Sequence, residues 1–204
     1  MKIVCIGRNY VAHARELNNE VPAEPVFFMK PDTSLLQRNK PFHIPDWSKD
    51  VHHEIELVIR ICKRGKNIPM ELAGGHFWEI GIGIDFTARD VQDQLKSKGL
   101  PWEKAKAFDQ AAVLGTGFIL KDSFPELGNI RFRLDINGKT VQNGHSGLMI
   151  FNFETIITHV SKYVTLKKGD LIYTGTPAGV GPVSAGDHLE GYLEDQKLFD
   201  FWVR

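Results

Sequence analysis

The chain has 204 residues and equal numbers of cationic and acidic side chains, 25 Lys and Arg against 25 Asp and Glu, so its formal net charge is zero. A chain without a basic excess has no general attraction for polyanions, and we expect neither nucleic acid nor an anionic membrane as a partner. The length predicts one domain over residues 1–204, with a strand, a helix and a loop over 1–50 and a β core over 51–204.

The cysteines and the N-terminus bear on where the protein works. Only Cys5 and Cys62 occur, and both lie in apolar strand-like runs, which is typical of buried free thiols in a reducing compartment. The apolar run Met1–Ile6 is too short for a signal peptide, and no segment approaches the ~20 apolar residues of a membrane span. We therefore predict a cytoplasmic protein.

The first predicted elements are a strand over Lys2–Ile6 and a short helix over Asn9–Leu17. On that helix His13 and Glu16 are three residues apart and therefore neighbours on one face. A carboxylate beside a histidine fixes the tautomer of the ring and stabilises the imidazolium, as a general base requires. The alternative is a solvated surface pair of little energetic weight.

A strand over Val26–Lys30 and a polar loop over 39–50 lead to the most informative stretch, His52–Ile59. Its alternating pattern predicts a β-strand on which Glu54 and Glu56 share one face, about 7 Å apart. Two carboxylates this close repel each other unless a cation lies between them, and Mg²⁺, Mn²⁺ and Ca²⁺ prefer oxygen ligands. The alternative is the solvated face of an edge strand.

A third carboxylate, Asp85, ends the predicted strand Phe77–Asp85. A carboxylate at the end of a buried strand is costly unless it is paired. Three carboxylates, with water or substrate in the remaining positions, suit the octahedral coordination of Mg²⁺. The sequence therefore predicts that Asp85 joins Glu54 and Glu56 in a metal site, with a buried salt bridge as the alternative.

The next helix is predicted to be capped at Thr87 and to stop at Gly99. Arg89 and Gln92 are three residues apart, so they project together from its first turn. A planar guanidinium binds a carboxylate well because it can donate two parallel hydrogen bonds. The alternative is a solvated helix surface.

Short strands dominate the second half of the chain. An alternating strand over Ile130–Ile136 opens a hairpin, and Asn152 is the predicted N-cap of a helix. A strand over Leu171–Thr174 enters a glycine-rich turn over 175–181, and a last hairpin covers 188–203. Many short strands with few helices predict a mainly β fold with some α.

The chain resembles the fumarylacetoacetate hydrolase family, in particular its short single-domain branch of acylpyruvase and oxaloacetate decarboxylase type. Four stretches that occur in the family's order carry the resemblance: Gly7–Glu16, His52–Ile59, Asp85–Gln92 and Thr174–Gly181. The resemblance implies a mixed β-sandwich roll that is usually a homodimer.

The resemblance also implies roles for individual residues. His13, oriented by Glu16 on a lid segment, would activate water, and Lys106 would stabilise an enolate unless it pairs with nearby Asp109. A metal, Mg²⁺ or Mn²⁺ with Ca²⁺ as a further option, would bind to Glu54, Glu56 and Asp85. The substrate carboxylate would bind to Arg89, Gln92, the backbone N–H of Gly175 and the hydroxyl of Thr176, with Lys30 as a further charge at the pocket.

The activity that the resemblance implies is metal-dependent hydrolysis of the C–C bond of acylpyruvates, or decarboxylation of oxaloacetate through the same kind of enolate. An isomerase or tautomerase is the alternative, acting on 2-hydroxyhepta-2,4-diene-1,7-dioate or on oxaloacetate. A hypothesis from another class is a catalytically silent dimer that uses the metal only for stability. All these enzymes share a small-molecule 2-oxo acid as their substrate.

Overall fold

The computed structural model describes residues 1–38 and 40–204; residue 39, the first of the predicted loop 39–50, lies outside the described residues. The strands are β1 Ile3–Gly7, β2 Val26–Lys30, β3 Val51–His53, β4 Ile55–Ile61, β5 Phe77–Asp85, β6 Thr87–Ala88, β7 Ala112–Leu114, β8 Ile119–Leu120, β9 Arg131–Ile136, β10 Lys139–His145, β11 Leu171–Tyr173, β12 Gly181–Pro182, β13 His188–Leu193 and β14 Gln196–Trp202. The helices are α1 Val11–Glu16, α2 Met70–Ala73, α3 Arg89–Ser97, α4 Glu103–Lys106 and α5 Phe153–Tyr163. The predicted mainly β fold with some α is confirmed.

The largest sheet has seven strands in the order β2-β1-β11-β4-β5-β7, with β8 also paired to β5. It is a mixed sheet, because β1 runs parallel to β11 while the other neighbours are antiparallel. Strand β4 lies inside it and is covered on both faces. Leu57 and Ile59 join the main core, and Val58 packs with Tyr173 on the other side. A solvated edge strand is therefore the wrong interpretation of this stretch.

A second sheet of four antiparallel strands, in the order β10-β9-β13-β14, packs against the first. Phe132 of β9 and Leu189 of β13 belong to the same hydrophobic core as β4. Helix α5 adds Ile156 to this core, and its predicted N-cap is confirmed because Asn152 Oδ1 accepts a hydrogen bond from Thr155 N (2.9 Å). The two packed sheets form the predicted sandwich.

The predicted strand His52–Ile59 is in fact two strands, because the chain changes sheets at Glu54. Strand β3 pairs with β6 and β12 in a small three-stranded sheet, whereas β4 enters the large sheet. A buried side chain occupies the break, since Ile55 N donates to Gln142 Oε1 (3.0 Å). Glu54 therefore leaves the regular pleat, and its carboxylate reaches the end of β5.

Helix α3 begins later than the sequence predicts. Thr87 lies in β6, and its hydroxyl donates to the carbonyl oxygen of Asp85 (3.3 Å) rather than capping the helix. Ala88 is therefore the N-cap, without a side-chain hydrogen bond. The helix stops at Ser97, just before Gly99, as predicted.

The structure bears on two predictions about the cellular location, namely buried free thiols and the lack of a membrane span. Both cysteines are free thiols, although Cys62 is only half-buried while Cys5 is fully buried. Among the helices of the described residues, none is long and apolar enough to cross a membrane.

Candidate active site

Three carboxylates meet where β4 and β5 emerge from the large sheet. Glu54, Glu56 and Asp85 each offer an oxygen within 4.8 Å of the others, and all three side chains are buried. The antiparallel register explains the meeting, because Ile55 lies opposite Ile84 and the next residue of β5 therefore lies beside Glu54. Asp85 N donates to the carbonyl oxygen of Glu54 (2.8 Å), which fixes the two residues side by side.

Three cations partly neutralise this acidic triad. Lys106 Nζ donates to both Glu54 Oε2 (2.7 Å) and Asp85 Oδ2 (2.8 Å). Arg89 Nη2 donates to Glu54 Oε1 (2.5 Å), and Lys30 Nζ lies 2.7 Å from Asp85 Oδ1. The ammonium of Lys106 is therefore engaged by the triad rather than by Asp109, and the buried salt bridge predicted as an alternative exists within the acidic cluster.

Glu56 differs from its two neighbours. Within the part of the chain that the structure describes, no cationic side chain forms a salt bridge with it, and its one strong donor is the backbone N–H of Gly175 (2.7 Å to Oε2). Burial, followed by the charges of Asp85 and Glu54, raises the pKa of Glu56 well above its usual value. Burial also disfavours the charge of Glu54, but Lys106 and Arg89 outweigh it and hold the pKa of Glu54 well below its usual value.

The acidic triad fits a hard divalent cation. Its donors are carboxylate oxygens, which Mg²⁺ and Mn²⁺ prefer, and the charged form of the buried Glu56 has no cation among the described residues to balance it. A divalent ion between the three oxygens would supply that balance. Glu54, Glu56 and Asp85 are the residues that could hold it.

The predicted role of Gly175 needs correction. Its backbone N–H donates to Glu56, so it is not available to a substrate carboxylate. Gly175 has a φ of 104°, and a Cβ here would lie 2.6 Å from the Cβ of Asn9. Only glycine fits this turn without displacing its neighbour, and the turn holds Glu56 in place.

His13 and Glu16 form the pair that the sequence predicts on α1. His13 Nδ1 lies 3.3 Å from Glu16 Oε2, and the ring is buried. An ionised carboxylate can only accept, so Nδ1 carries the hydrogen and Nε2 keeps its lone pair. Burial, the largest effect, lowers the pKa of His13 despite the opposing charge of Glu54 and the hydrogen bond to Glu16, so the ring is neutral at pH 7. The other oxygen of Glu16 accepts from Gly179 N (3.0 Å), which ties α1 to the glycine-rich turn.

A single cavity brings most of the predicted residues together. It has about 400 Å³ of space, part of it open to solvent. Its lining includes eight of the predicted site residues, namely His13, Glu54, Glu56, Asp85, Arg89, Gln92, Lys106 and Thr176. Lys30, Glu16 and Gly175 are not part of this lining. Lys30 lies behind Asp85, where its ammonium also donates to Ala111 O (3.0 Å), so the structure does not support a substrate contact for it.

Arg89 and Gln92 are preorganised on the first turn of α3. Arg89 Nη1 donates to Gln92 Oε1 (2.7 Å), so the orientation of the amide is fixed with its NH₂ group turned away from the guanidinium. Both side chains are buried and line the cavity. Their N–H groups lie at the cavity, and binding of a substrate carboxylate by these two residues stays a prediction.

Gln142, on β10 in the other sheet, is a site residue that no sequence pattern predicts. Its Oε1 accepts from Ile55 N (3.0 Å), and its Nε2 donates to Pro177 O (3.0 Å) and to Thr176 Oγ1 (2.9 Å). A backbone N–H can only donate and a carbonyl can only accept, so these contacts fix the orientation of the amide. Thr176 Oγ1 is then an acceptor towards Gln142, and its own hydrogen remains available to the cavity. No local pattern reveals this, because the partners are distant in sequence.

Three further residues without a predicted role lie at the outer part of the cavity. Arg8 and Lys96 both lie near the ring of Trp102, and all three line the cavity. A sequence signal existed for Lys96, which follows Gln92 by four residues on the same helix face. Arg8 lies inside the recognised stretch Gly7–Glu16.

The fold and site define a class of β-sandwich proteins with a buried carboxylate centre and a His–Glu pair at one cavity. Residues 2–199 match the family described as fumarylacetoacetate (FAA) hydrolase C-terminal. The chain therefore belongs to the fumarylacetoacetate hydrolase family, and the resemblance predicted from its motifs is confirmed.

Several relatives match the chain over nearly its full length. It is 45% identical over 207 residues to the mitochondrial oxaloacetate decarboxylase of Dictyostelium discoideum, covering 100% of this chain and 94% of the relative. It is 41% identical over 202 residues to the mitochondrial oxaloacetate tautomerase FAHD1 of Mus musculus, covering 99% and 91%. A solved structure of fumarylpyruvate hydrolase from Pseudomonas aeruginosa, in complex with Mn²⁺ and pyruvate, superimposes with a TM-score of 0.93 at 33% identity, covering 100% and 89%.

Proposed function

We propose that this protein is a divalent-metal-dependent enzyme that acts on 2-oxo acids through an enolate. The reaction would be hydrolysis of the C–C bond of acylpyruvates or decarboxylation of oxaloacetate. The observation that carries the proposal is the acidic triad of Glu54, Glu56 and Asp85, bridged by Lys106 and sharing a cavity with the base His13. The Mn²⁺ and pyruvate named for the fumarylpyruvate hydrolase structure support the same ligand classes here.

The acidic triad would hold Mg²⁺ or Mn²⁺, with Ca²⁺ as a further option. A divalent ion bound there would polarise the 2-keto oxygen and lower the energy of the negative charge that develops on it. The guanidinium of Arg89, the NH₂ group of Gln92 and the hydroxyl of Thr176 would hold the substrate carboxylate. The ammonium of Lys106 would stabilise the enolate oxygen from within the cavity.

Hydrolysis would use His13 as the base. Its Nε2 takes a proton from water as the water oxygen bonds to the distal carbonyl carbon of the acylpyruvate. The bond from that carbon to C3 then breaks, and its electron pair forms the pyruvate enolate. The proton held by His13 returns to the products, which are a carboxylic acid and pyruvate. Glu16 keeps the ring in the tautomer that this step requires.

Decarboxylation of oxaloacetate would need no water. The C3–C4 bond breaks, CO₂ leaves, and the electron pair passes towards the C2 oxygen as the same enolate. Lys106 would act as before, whereas His13 would have no attacking water to deprotonate.

Oxaloacetate tautomerisation is a second candidate, which the names of several relatives favour. Here a base removes a proton from C3 and the C2 oxygen receives one. The enolate is again the shared intermediate, so the same residues would serve.

Turnover of acetylpyruvate and oxaloacetate, with and without Mg²⁺ or Mn²⁺, tests the proposal in the wild type and in His13→Ala. We expect both substrates to require metal, and His13→Ala to abolish acetylpyruvate cleavage while sparing decarboxylation. His43→Ala, at an exposed histidine, is the matched control. If the wild type transforms neither substrate, the proposed activities are wrong. That result would favour the catalytically silent dimer or an isomerase that acts on another substrate.

We also propose that the chain works as one domain over residues 1–204 and as a homodimer. Support for one domain comes from β1 and β14, near the two ends of the chain, which both pair within the two packed sheets. Support for association comes from exposed apolar side chains such as Trp78 (61%) and Leu120 (59%). Sedimentation analysis would measure the assembly state. The cytoplasmic location stays a prediction, since relatives include mitochondrial proteins.

A further inference from the structure

Two cations and one aromatic ring form the outer part of the cavity. The guanidinium carbon of Arg8 lies 5.9 Å from the centroid of the Trp102 ring, and Lys96 Nζ lies 5.8 Å from it. The edge of Phe28 packs near the same ring, at 6.1 Å between centroids, and helps to fix it. Arg8, Lys96 and Trp102 all line the cavity that contains the acidic triad. We call these three residues the outer clamp.

The outer clamp continues a line of donors along α3. Arg89, Gln92 and Lys96 are spaced three and four residues apart, so they lie on one helix face. Arg89 is the inner member because it contacts Glu54. The Cβ atoms of such helix neighbours are about 5–6 Å apart. The three side chains therefore form a row of donors from the acidic triad to the outer part of the cavity, along which a short dicarboxylate can lie.

The cations of the outer clamp have no salt-bridge partner in the part of the chain that the structure describes. Among the described residues, Arg8 and Lys96 form no salt bridge, whereas Arg89, Lys106 and Lys30 all do. Burial, followed by the charge of Arg89, lowers the pKa of Lys96, as expected where cations face one another. An anion between them would relieve this repulsion.

The backbone conformation of Arg8 also supports a role for its side chain at the cavity. Its φ is 59°, in the left-handed region that residues other than glycine and asparagine rarely adopt. Glycine would adopt this conformation without strain. Strained conformations of this kind cluster at functional sites, and this one lies at the lining of the cavity.

We propose that the outer clamp binds the distal carboxylate of a dianionic 2-oxo acid, and that it thereby directs oxaloacetate towards tautomerisation rather than decarboxylation. This inference rests on the proposed function, which places the 2-oxo acid end of the substrate at Arg89, Gln92 and Thr176. The distal C4 carboxylate then points outward along α3 to Lys96 and Arg8.

The effect on the reaction follows from what happens to the C4 carboxylate. In decarboxylation the C3–C4 bond breaks, its electron pair moves to C3 and the C2 oxygen, and the carboxylate leaves as neutral CO₂. Its attraction to Arg8 and Lys96 is therefore weakened in the transition state. In tautomerisation a proton leaves C3 and a proton reaches the C2 oxygen, while the C4 carboxylate keeps its charge. Contacts that persist into the transition state favour tautomerisation over decarboxylation.

The test uses Lys96→Met and Arg8→Met, which remove charge while keeping a long side chain. The substrates are oxaloacetate and its 4-methyl ester, which lacks the distal charge, with Mn²⁺ present and the protein-free rate subtracted. Tautomerisation of oxaloacetate should fall roughly 10-fold or more in kcat/KM in each variant, whereas the ester should change less than about 3-fold. The ratio of CO₂ released to enol converted should rise. Lys96→Arg should restore most of the preference.

The matched controls are Lys98→Met and Arg15→Met, at exposed cations outside the cavity lining. Equal losses for oxaloacetate and its ester, or an unchanged ratio of the two reactions, would overturn the outer clamp while leaving the proposed function intact. If the wild type turns over neither compound, the proposed function fails. In that case, calorimetry of oxaloacetate binding to the Mn²⁺-loaded protein tests whether the outer clamp binds the distal carboxylate. The proposal is wrong if Lys96→Met and Arg8→Met bind oxaloacetate as tightly as the wild type.

Discussion

Lys106 and Gln142 illustrate how single side chains define this site. Lys106 bridges two carboxylates of the acidic triad, and its exposed neighbour Lys104 is two residues away on the same short helix. Gln142 comes from the opposite sheet and touches the turn that carries Thr176. Each is buried, and each is oriented by partners with a fixed role, which are carboxylates for Lys106 and a backbone N–H and a carbonyl for Gln142.

Gln142→Met should impair catalysis through Thr176. Losing the amide leaves Thr176 Oγ1 without its donor, so the hydroxyl can turn away from the substrate. We expect KM for the 2-oxo acid to rise roughly 10-fold, and protein stability to fall by about 1–3 kcal/mol from the unpaired backbone groups. Steady-state kinetics of Gln142→Met, Thr176→Val and the double variant measures the coupling.

The double variant should be little worse in KM than either single variant, because both changes remove the same contact. Gln196→Met, at an exposed glutamine of β14, is the matched control. Fully additive losses in KM would mean that Gln142 does not act through Thr176.

The pH dependence of hydrolysis should reflect the burial of His13. Burial lowers the pKa of His13 below its ordinary value of 6.5. The neutral ring is the active base, so kcat/KM should stay level from pH 8 down to that value and then fall as the pH drops through the lowered pKa. A pH–rate profile measures this directly. An acid limb with its midpoint above 6.5 would contradict a buried neutral base.

At the level of elements, the parallel pair β1–β11 holds the two halves of the large sheet together. Asp170, just before β11, joins it to the start of the chain. Its Oδ1 accepts from Lys2 N (2.9 Å), and its Oδ2 accepts from Lys2 Nζ (2.5 Å) and from Lys167 N (2.8 Å). The buried carboxylate therefore fixes the start of β1 beside β11. In the sheet, β11 lies between β1 and β4, and β5 lies on the other side of β4.

Asp170→Asn should destabilise the fold. Burial alone would raise the pKa of Asp170, but the Lys2 side chain and the backbone donors outweigh it and lower the pKa. A lowered pKa means that the stabilisation is present above the ordinary value of 3.8 and is lost as the pH falls through the folded-state pKa. We expect a loss of about 1–3 kcal/mol at pH 7, measured by urea unfolding.

The difference between wild type and Asp170→Asn should shrink in acid, where the wild-type carboxylate is protonated. Asp195→Asn, in the exposed turn before β14, is the control and should change stability by less than about 0.5 kcal/mol. A gap that persists unchanged at pH 2 would point to packing rather than charge.

At the scale of the whole molecule, the acidic triad links folding to metal. A ligand that binds only the folded state stabilises it by about 2.7 kcal/mol at 100 times its Kd. For a protein of this size, that shift corresponds to a rise in Tm of roughly 5–10 °C. Scanning calorimetry with and without Mn²⁺ should detect it in the wild type.

Glu56→Gln should remove most of the metal-dependent rise in Tm. Without metal, the same variant should be at least as stable as the wild type, because it replaces a buried carboxyl group whose charged form is disfavoured and has no cationic partner in the described residues. Glu79→Gln, in a half-exposed pair with Arg60, is the control and should keep the metal effect. If neither Mn²⁺ nor Mg²⁺ raises the Tm of the wild type, the proposal of a metal site is wrong.

The site could be predicted from sequence where its residues lie close together along the chain. His13 with Glu16, and Arg89 with Gln92, are helix neighbours by spacing alone, and the structure keeps both pairs. The roles of Lys106 and Thr176 came from the family resemblance. Gln142 could not be predicted, because its partners lie on elements that only the packing of the two sheets brings together.

The sequence by itself determined the mainly β fold, the family, and the residue types of the acidic triad, because alternation, turn residues and motif order are local properties. The tertiary structure decided that the chain changes sheets at Glu54, that Gly175 serves Glu56 rather than the substrate, and that Arg8 and Lys96 share one ring. The physical reason is that burial and charge balance depend on which elements meet. A strand carries its pattern in its own residues, whereas the partner of a buried charge comes from elsewhere in the chain.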